Sequence, residues 1–319
     1  MNAPAAPRVV VLAGGLSHER DVSLRSGRRV AEALRSAGAE AFLHDVDADL
    51  AASLRELAPD VVWPLLHGAT GEDGSVRDVL SLFGLRVLGT GARESRIAWH
   101  KPIAKTVVAR AGLATPDFVT LPQTLFRELG AHRILEALVA KFGLPLVVKP
   151  SSGGSALGVT LVSTPDDLPA AMVECFAYGD TALVERAVLG TEVAVSVVDT
   201  GAGPQALPAI EIVTDGPYDY DARYNPGRTE YFLPARLSDE VSARVATAAL
   251  AAHAALGLAR LSRTDLIVDD AGTPWFLEVN VAPGMTETSL LPQAAEAAGY
   301  ELGALYRALV DAELAEPRG

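Results

Sequence analysis

Residues 263–280 constrain the fold of this chain most, because they predict one β-hairpin with its charged side chains on a single face. Residues 266–268 form a short apolar run, residues 269–272 have turn composition, and the apolar residues 275–277 resume the second strand. If the turn is centred on the bond between residues 271 and 272, Asp265 lies opposite Glu278, Arg263 lies opposite Asn280, and Leu277 and Val279 point to the other face.

The opposed carboxylates of this hairpin indicate a metal site. Two carboxylates directly across a ladder repel each other, so their pairing needs a compensating cation. Asp265, Glu278 and Asn280 supply the oxygen ligands that Mg²⁺ prefers, and Arg263 beside them is suited to hold an anion. The alternative is an ordinary solvated hairpin face. The turn-rich residues 281–286 favour the metal site, because they fix the backbone just beyond the last ligand.

Composition limits the class of protein. With 319 residues, 49% of them hydrophobic and 21% charged, the chain is long enough for two or three domains with full cores. Its one cysteine, Cys175, excludes a disulfide framework and a thiolate metal cluster. The net charge of -13 disfavours binding to nucleic acid. Neither a secretory signal nor an apolar run of membrane-spanning length is visible, so the sequence predicts a cytoplasmic protein without membrane contact.

The first section alternates strands and helices, which predicts a parallel sheet covered by helices. Its first and third strands are followed by glycine-containing loops that hold Glu19, His67 and Glu72. Ligands gather at the carboxyl ends of parallel strands, so these loops predict a binding site, although each residue alone could be structural. The loops lack the dinucleotide fingerprint, which disfavours a hydride-transfer enzyme. The predicted strands are 8–13, 41–46 and 61–66, with a further one around Val87, and the predicted helices are 24–34 and 51–57, with another ending near Phe83.

A loop rich in Gly and Ser, residues 151–158, lies between two predicted strands and directly follows Lys149. Backbone N–H groups in such a loop can converge on a phosphate, although the order of residues is not that of a P-loop. The alternative is a flexible surface hairpin. Residues 183–193 resemble a connector between two lobes, and residues 215–230 form either a functional loop or a surface excursion. Helices are predicted at 101–111, 125–142 and 238–256, and strands at 144–149, 159–162, 192–198 and 209–213.

Taken in order, these motifs resemble the D-alanine–D-alanine ligases of the ATP-grasp superfamily over almost the whole chain. They are Gly14-Gly15 with ERDVSL at 19–24, His67-Gly68 with EDG at 72–74, Lys101, Lys149-Pro150 with its loop, Arg263 with Asp265, LEVN at 277–280 and PGMT at 283–286. The resemblance implies an α/β fold of three domains. These are an N-terminal parallel-sheet domain (1–93) for the donor substrate and dimer contacts, a central ATP-grasp lobe (94–188), and a C-terminal lobe (189–319) with the metal site and a mobile loop at 215–230.

The resemblance also implies roles for individual residues. For ATP it implies Lys101 and Lys149 at the phosphates, Ser155 and Arg223 near them, Glu185 at the adenine amino group, Ala187 and Val188 along the base, and Glu192 at the ribose. For two Mg²⁺ ions, which Mn²⁺ could replace, it implies Asp265, Glu278 and Asn280. For catalysis it implies Arg263 and a triad of Glu19, Ser155 and Tyr224, and for the amino acids it implies His67, Glu72, Gly284, Ser289 and Leu290.

The implied reaction is the ATP-dependent joining of two D-alanine molecules through an acyl phosphate, for peptidoglycan precursor synthesis, by a cytoplasmic homodimer. The sequence departs from the family pattern at His100, Ala156, Arg223 and Val281. These departures leave open a paralogue that joins other amino acids in a biosynthetic pathway. A nucleotide-binding regulator without turnover is a further alternative, which the retained hairpin residues disfavour.

Overall fold

The computed structural model describes residues 6–214 and 229–317, and it begins with a three-stranded parallel sheet of order β2-β1-β3. Alternate residues of β1 enter different cores: Val9 and Val11 face one side of the sheet, and Val10 faces the other. Burial on both faces explains the continuous apolar run. The predicted β-α-β-α-β order is therefore confirmed. The elements are β1 Arg8–Leu12, α1 Arg20–Ser36, β2 Glu40–His44, α2 Leu50–Leu57 and β3 Val61–Pro64.

Short helices link this sheet to the rest of the chain. The predicted strand around Val87 shortens to an isolated parallel bridge, in which Val87 pairs with Val62 of the first sheet. Pro102 lies in the first turn of α6, where its missing N–H costs nothing. The helices are α3 Ala69–Glu72, α4 Ser75–Leu82, α5 Ala92–Trp99 and α6 Lys101–Arg110.

The central section forms a four-stranded antiparallel sheet of order β4-β7-β5-β6. The helix predicted over 125–142 is wrong as a single element, because Gly130 has φ 80° and separates two helices. Residues 181–186 form a strand, so the predicted connector shortens to residues 187–190. The elements are β4 Phe118–Pro122, α7 Gln123–Leu129, α8 Ala131–Phe142, β5 Leu146–Pro150, β6 Thr160–Val162, α9 Leu168–Phe176 and β7 Thr181–Arg186.

The last section builds a six-stranded sheet with the path β11-β10-β8-β12-β13 and β9 beside β8. Its long helix α10 begins after Ser238, whose hydroxyl accepts a hydrogen bond from the N–H of Val241. Within the predicted loop 215–230, residues 215–228 lie outside the described residues, and residues 229 and 230 belong to β11. The elements are β8 Thr191–Val198, β9 Gln205–Ala206, β10 Ile210–Thr214, β11 Thr229–Phe232, α10 Asp239–Ala255, β12 Leu261–Val268, β13 Pro274–Asn280, α11 Leu290–Ala297 and α12 Leu302–Ala315.

The hairpin of β12 and β13 has the predicted pairing at its charged end, where Asp265 faces Glu278. Arg263 likewise faces Asn280, as predicted. Beyond Asp265 the register shifts by one residue and leaves Leu277 as the extra residue of a β-bulge. The prediction that Leu277 shares a face with Val279 is therefore wrong. Symmetry about the bond between residues 271 and 272 holds only on one side of the bulge.

Within residues 6–214 and 229–317, four hydrophobic clusters hold these layers together. The largest includes Val11 and Trp63 of the first section together with Leu291 and Tyr306 of the last, and the rings of Trp63 and Tyr306 meet edge to face. The first and last sections thus share one core, and the division into three domains stays a prediction. Among the described residues, every helix is too short or too polar to cross a membrane.

Candidate active site

A cleft of about 400 Å³ lies between the four-stranded and six-stranded antiparallel sheets. Strands and loops from both sheets reach it, and so does the first residue of α6. Most of the residues that the sequence predicts for a nucleotide, and two of those that it predicts for its metal, meet here. They are Lys101, Lys149, Glu185, Ala187, Val188, Glu192, Asp265 and Glu278.

Apolar side chains form two facing walls of this cleft. Val147 and Leu161 lie on one sheet, and Ile267 and Leu277 lie on the other. Leu277 reaches the cleft beside Glu278 because the bulge turns two successive residues to the same side. A slot with apolar walls and a polar rim suits a flat heterocyclic base. Strict period-two alternation, as predicted from the sequence, would instead point Leu277 away from the face that carries Glu278.

Glu185 lies at the floor of the cleft between two lysines. Its carboxylate oxygens are 2.6 Å from Lys149 Nζ and 2.8 Å from Lys105 Nζ, and all three side chains are buried. Burial alone would raise the pKa of Glu185, but the two ammonium groups outweigh it and lower the pKa. Burial lowers the pKa of Lys105 to about 8, against the opposing effect of Glu185.

The charged end of the hairpin forms the inner end of the cleft. Arg263 donates to both oxygens of Asp265, at 2.7 and 2.8 Å, and Lys101 Nζ is 3.1 Å from a carboxylate oxygen of Glu278. Asn280 Oδ1 accepts a hydrogen bond from the N–H of Ala282 at 2.7 Å. The two opposed carboxylates are thus neutralised by side-chain cations.

This donor set fits Mg²⁺ only when a ligand completes it. In the described ranges no group of three or more His, Cys, Asp or Glu side chains is placed to enclose a metal ion. Two carboxylates and one amide oxygen leave several positions of an octahedron open, which phosphate oxygens and water commonly occupy.

A second, more polar pocket adjoins the first across the same hairpin. Arg263 and Asn280 line it, while their neighbours Asp265 and Glu278 line the cleft. The sequence-predicted residues that meet in this pocket are Glu19, His67, Glu72, Ser155, Arg263, Asn280, Gly284, Ser289 and Leu290.

The titratable groups of this pocket have displaced pKa values. Burial, reinforced by the charge of Glu19, raises the pKa of Glu72 to about 8. Burial lowers the pKa of His67, whose Nε2 is buried without a hydrogen-bond partner in the described part of the chain. A neutral imidazole and a carboxyl group that keeps its proton to high pH are typical of a ligand site.

The Gly/Ser loop is fixed over the boundary between the two pockets. Ser155 Oγ donates a hydrogen bond to Glu19 at the start of α1, and both Ser155 and Ala156 have positive φ angles of 54° and 55°. Backbone strain of this kind costs energy and concentrates at functional sites. At its base, the Ser152 hydroxyl is 2.6 Å from His100 Nδ1. His100 thus anchors the loop to the N-terminus of α6.

The opposite wall of the polar pocket is the segment that leads into α11. Ser289 is the N-cap of α11, and its hydroxyl accepts a hydrogen bond from the N–H of Thr286 at 3.0 Å. The hydroxyl of Ser26, in α1, accepts another from the N–H of Met285 at 3.1 Å. The first N–H groups of a helix attract anions, so this wall suits a carboxylate.

Some residues of the site were not identified from the sequence. Lys105 and Ser26 are polar residues of helices, and local pattern alone does not separate them from solvated positions. Their burial depends on which elements pack against those helices. Arg223 and Tyr224, which the resemblance places near the phosphates and in the triad, lie outside the described residues.

Comparison with known proteins gives consistent matches. Residues 107–311 match the family model described as D-ala D-ala ligase C-terminus. A D-alanine–D-alanine ligase of Desulforudis audaxviator is 42% identical over 305 residues, which are 95% of this chain and 97% of that protein.

Solved structures agree with this match. The crystal structure of D-alanine–D-alanine ligase from Bacillus anthracis superimposes with a TM-score of 0.83 at 33% identity and covers 97% of this chain and 98% of that one. A structure from the same organism complexed with ATP gives a TM-score of 0.81 at 30% identity, with coverage of 97% and 98%.

Proposed function

Because this chain belongs to the D-alanine–D-alanine ligase family, we propose that its two adjoining pockets hold ATP and two D-alanine molecules. It is an ATP-dependent ligase, and its dipeptide product serves peptidoglycan synthesis. One observation carries the proposal: a single hairpin turns Asp265 and Glu278 to the nucleotide cleft and Arg263 and Asn280 to the polar pocket. A terminal phosphoryl group and a substrate carboxylate would meet at this hairpin.

In the cleft, the base would lie between the apolar walls and reach Glu185, whose carboxylate accepts hydrogen bonds. Ala187 and Val188 would contact the base through their backbone, and Glu192 would contact the ribose. Lys101 and Lys149 would hold the phosphates, because each is a cationic residue that lines the cleft. Supporting this arrangement, Lys101 Nζ donates to the Gly153 carbonyl at 2.5 Å, which fixes it against the Gly/Ser loop.

Asp265, Glu278 and Asn280 would hold Mg²⁺, or Mn²⁺ in its place. When bound, the metal neutralises phosphate charge and orients the transferring group. Lys101 and Arg263 balance the two carboxylates, and a metal held by Asp265 and Glu278 would make both cations available to phosphate oxygens.

The reaction begins when a carboxylate oxygen of the first D-alanine attacks the γ-phosphorus of ATP. The bond from that phosphorus to the β–γ bridging oxygen breaks, and ADP and an acyl phosphate result. The amine of the second D-alanine then attacks the acyl carbon, loses a proton, and expels phosphate to leave the dipeptide. Arg263 would face the negative charge that develops on the oxygens of the transferring phosphoryl group and of the tetrahedral intermediate, which is the expected place for a fixed cation.

The polar pocket would hold the two amino acids at two neighbouring positions. Glu19 would receive the ammonium group of the donor, with His67 and Glu72 beside it. The buried Nε2 of His67 supports a ligand here, because a substrate atom would provide the partner it lacks among the described residues. Ser289 and the N–H of Leu290, at the start of α11, would hold the carboxylate of the acceptor, beside Gly284. Glu19 and Ser155, with Tyr224, would hold the predicted mobile loop at 215–230 closed over the site and exclude water.

A homodimer and a cytoplasmic location remain part of the proposal. The homodimer follows from the resemblance alone, and the cytoplasmic location follows from the resemblance and from the need for ATP as a co-substrate. The departures from the family pattern at His100, Ala156 and Val281 lie at or near the Gly/Ser loop and the hairpin of β12 and β13. They motivate a test of substrate choice.

The decisive experiment measures ADP release with D-alanine against a panel of other D- and L-amino acids, with dipeptide products identified by mass spectrometry. We expect D-alanyl-D-alanine as the main product. Turnover only with another pair would support the paralogue. ATP binding without ADP release under any substrate would overturn the ligase assignment in favour of a regulator.

A further inference from the structure

We propose that Lys105 is a positioning residue for nucleotide recognition, which holds Glu185 in place for the base and leaves Lys149 available for the phosphates. The proposal rests on the proposed function, in which Glu185 accepts a hydrogen bond from the adenine amino group. Lys105 follows Lys101 by one helical turn in α6, yet its side chain is fully buried, whereas Lys101 lines the cleft.

The contacts of Lys105 fix its ammonium group from three sides. Its Nζ is 2.8 Å from Glu185 Oε2, donates to Thr115 Oγ1 at 2.5 Å, and lies 5.4 Å from the centre of the Phe118 ring. Burial of a lysine without such partners would be very unfavourable. These contacts come from β7, from the segment before β4, and from β4 itself.

Lys105 also connects the two walls of the cleft. The hydroxyl of Thr115 donates to the Phe276 carbonyl at 2.8 Å, and the N–H of Phe276 donates to the Ala114 carbonyl at 2.8 Å. Phe276 belongs to β13, two residues before Glu278. An ion pair between Glu185 and Lys105, followed by hydrogen bonds through Thr115, therefore connects Glu185 on one sheet to the hairpin on the other.

The two lysines that share Glu185 are not equivalent. Lys149 contacts Oε1 and lines the cleft, so an incoming anion can reach it. Lys105 contacts Oε2, is fully buried and does not line the cleft, so an anion in the cleft cannot compete for it. When a triphosphate draws Lys149 to itself, Lys105 remains as the counterion that keeps Glu185 ionised and correctly oriented.

The test compares the affinities for ATP and for inosine triphosphate, which lacks the 6-amino group, by titration calorimetry in the presence of Mg²⁺. A hydrogen bond to a charged acceptor changes affinity by about 10- to 100-fold, so the wild type should prefer ATP by that order. Lys105→Met should lower the affinity for ATP by about tenfold or more and that for inosine triphosphate by less than about threefold. The exposed Lys141→Met is the matched control and should change neither affinity.

A double-mutant cycle decides whether Lys105 acts through Glu185. If it does, Lys105→Met should have little further effect on ATP binding in a Glu185→Gln background. Thr115→Val removes one hydrogen-bond partner of the Lys105 ammonium group and leaves the charge of Lys105 in place. It should therefore reduce the preference for ATP by a smaller factor than Lys105→Met does. This variant also decides the question if Lys105→Met does not fold, as judged by thermal melting.

An error in the proposed role of Glu185 and an error in the proposed role of Lys105 would give different results. If the wild type binds both nucleotides equally, the assignment of Glu185 to the adenine amino group is wrong. If Glu185→Gln abolishes the preference for ATP while Lys105→Met and Thr115→Val leave it unchanged, the role of Lys105 is overturned and the proposed function stands. Additive effects in the double-mutant cycle would likewise overturn the inference.

Discussion

Replacing Glu72 by Gln should stabilise the ligand-free protein increasingly as the pH rises. Glu72 is only 8% exposed, and burial together with Glu19 raises the pKa of its carboxyl from 4.5 to about 8. In the unfolded chain the group ionises near its ordinary pKa, so the folded state binds the extra proton between these two values. A raised pKa in the folded state contributes stability at low pH, which is lost as the pH rises through about 8.

The magnitude follows from the two pKa values. The difference of about 3.5 between them, at about 1.4 kcal/mol per pKa unit, gives a maximum penalty of about 5 kcal/mol above pH 8. At pH 6 the same reasoning gives about 2 kcal/mol. Gln keeps the shape of the side chain and cannot ionise, so the variant escapes this penalty while it can still accept the hydrogen bond from the Gly68 N–H.

Urea unfolding of wild type and Glu72→Gln at pH 5, 7 and 9 measures the effect. The advantage of the variant should grow across this series and level off above pH 8. Glu56→Gln, at an exposed position of α2, is the control, and its difference in free energy of unfolding from the wild type should not depend on pH. If the difference between Glu72→Gln and wild type is the same at all three pH values, Glu72 is not held protonated and the reasoning is refuted.

Three further predictions concern phosphate binding, metal binding and the backbone. Lys101→Met should lower kcat/KM for ATP by about 100-fold or more in the ADP-release assay, because a buried charged contact to phosphate is lost. Asp265→Asn should raise the Mg²⁺ concentration needed for half-maximal activity by about tenfold or more, and an unchanged Mg²⁺ titration would contradict its role as a ligand. Gly71→Ala should lower the free energy of unfolding by about 2 kcal/mol or more in urea titrations, because the new Cβ would lie 2.1 Å from the Leu66 carbonyl oxygen. Full stability of that variant would show that the backbone there relaxes.

The hairpin of β12 and β13 follows the predicted register at its charged end and departs from it at the bulge. Beside the turn the pairs are centred on Ala271, and the extra residue Leu277 then shifts the register to symmetry about the bond between residues 271 and 272. Period-two alternation about that bond therefore pairs Asp265 with Glu278 correctly. It could not locate the bulge at Leu277, since a bulge depends on how the strand must bend to fit its neighbours. The helix break at Gly130 was missed for a related reason: a single glycine is tolerated within many helices.

The amino-acid sequence by itself determined the β-α-β alternation of the first section, the opposed carboxylates, the Gly/Ser loop between two strands and, through the order of its motifs, the family. These are local features, and each is written in neighbouring residues. Only the tertiary structure decided that Lys105 pairs with Glu185, that Glu72 keeps its proton to about pH 8, and that one hairpin separates two pockets. Burial and charge pairing depend on residues distant in sequence, and a pattern along the chain does not contain the distances between them.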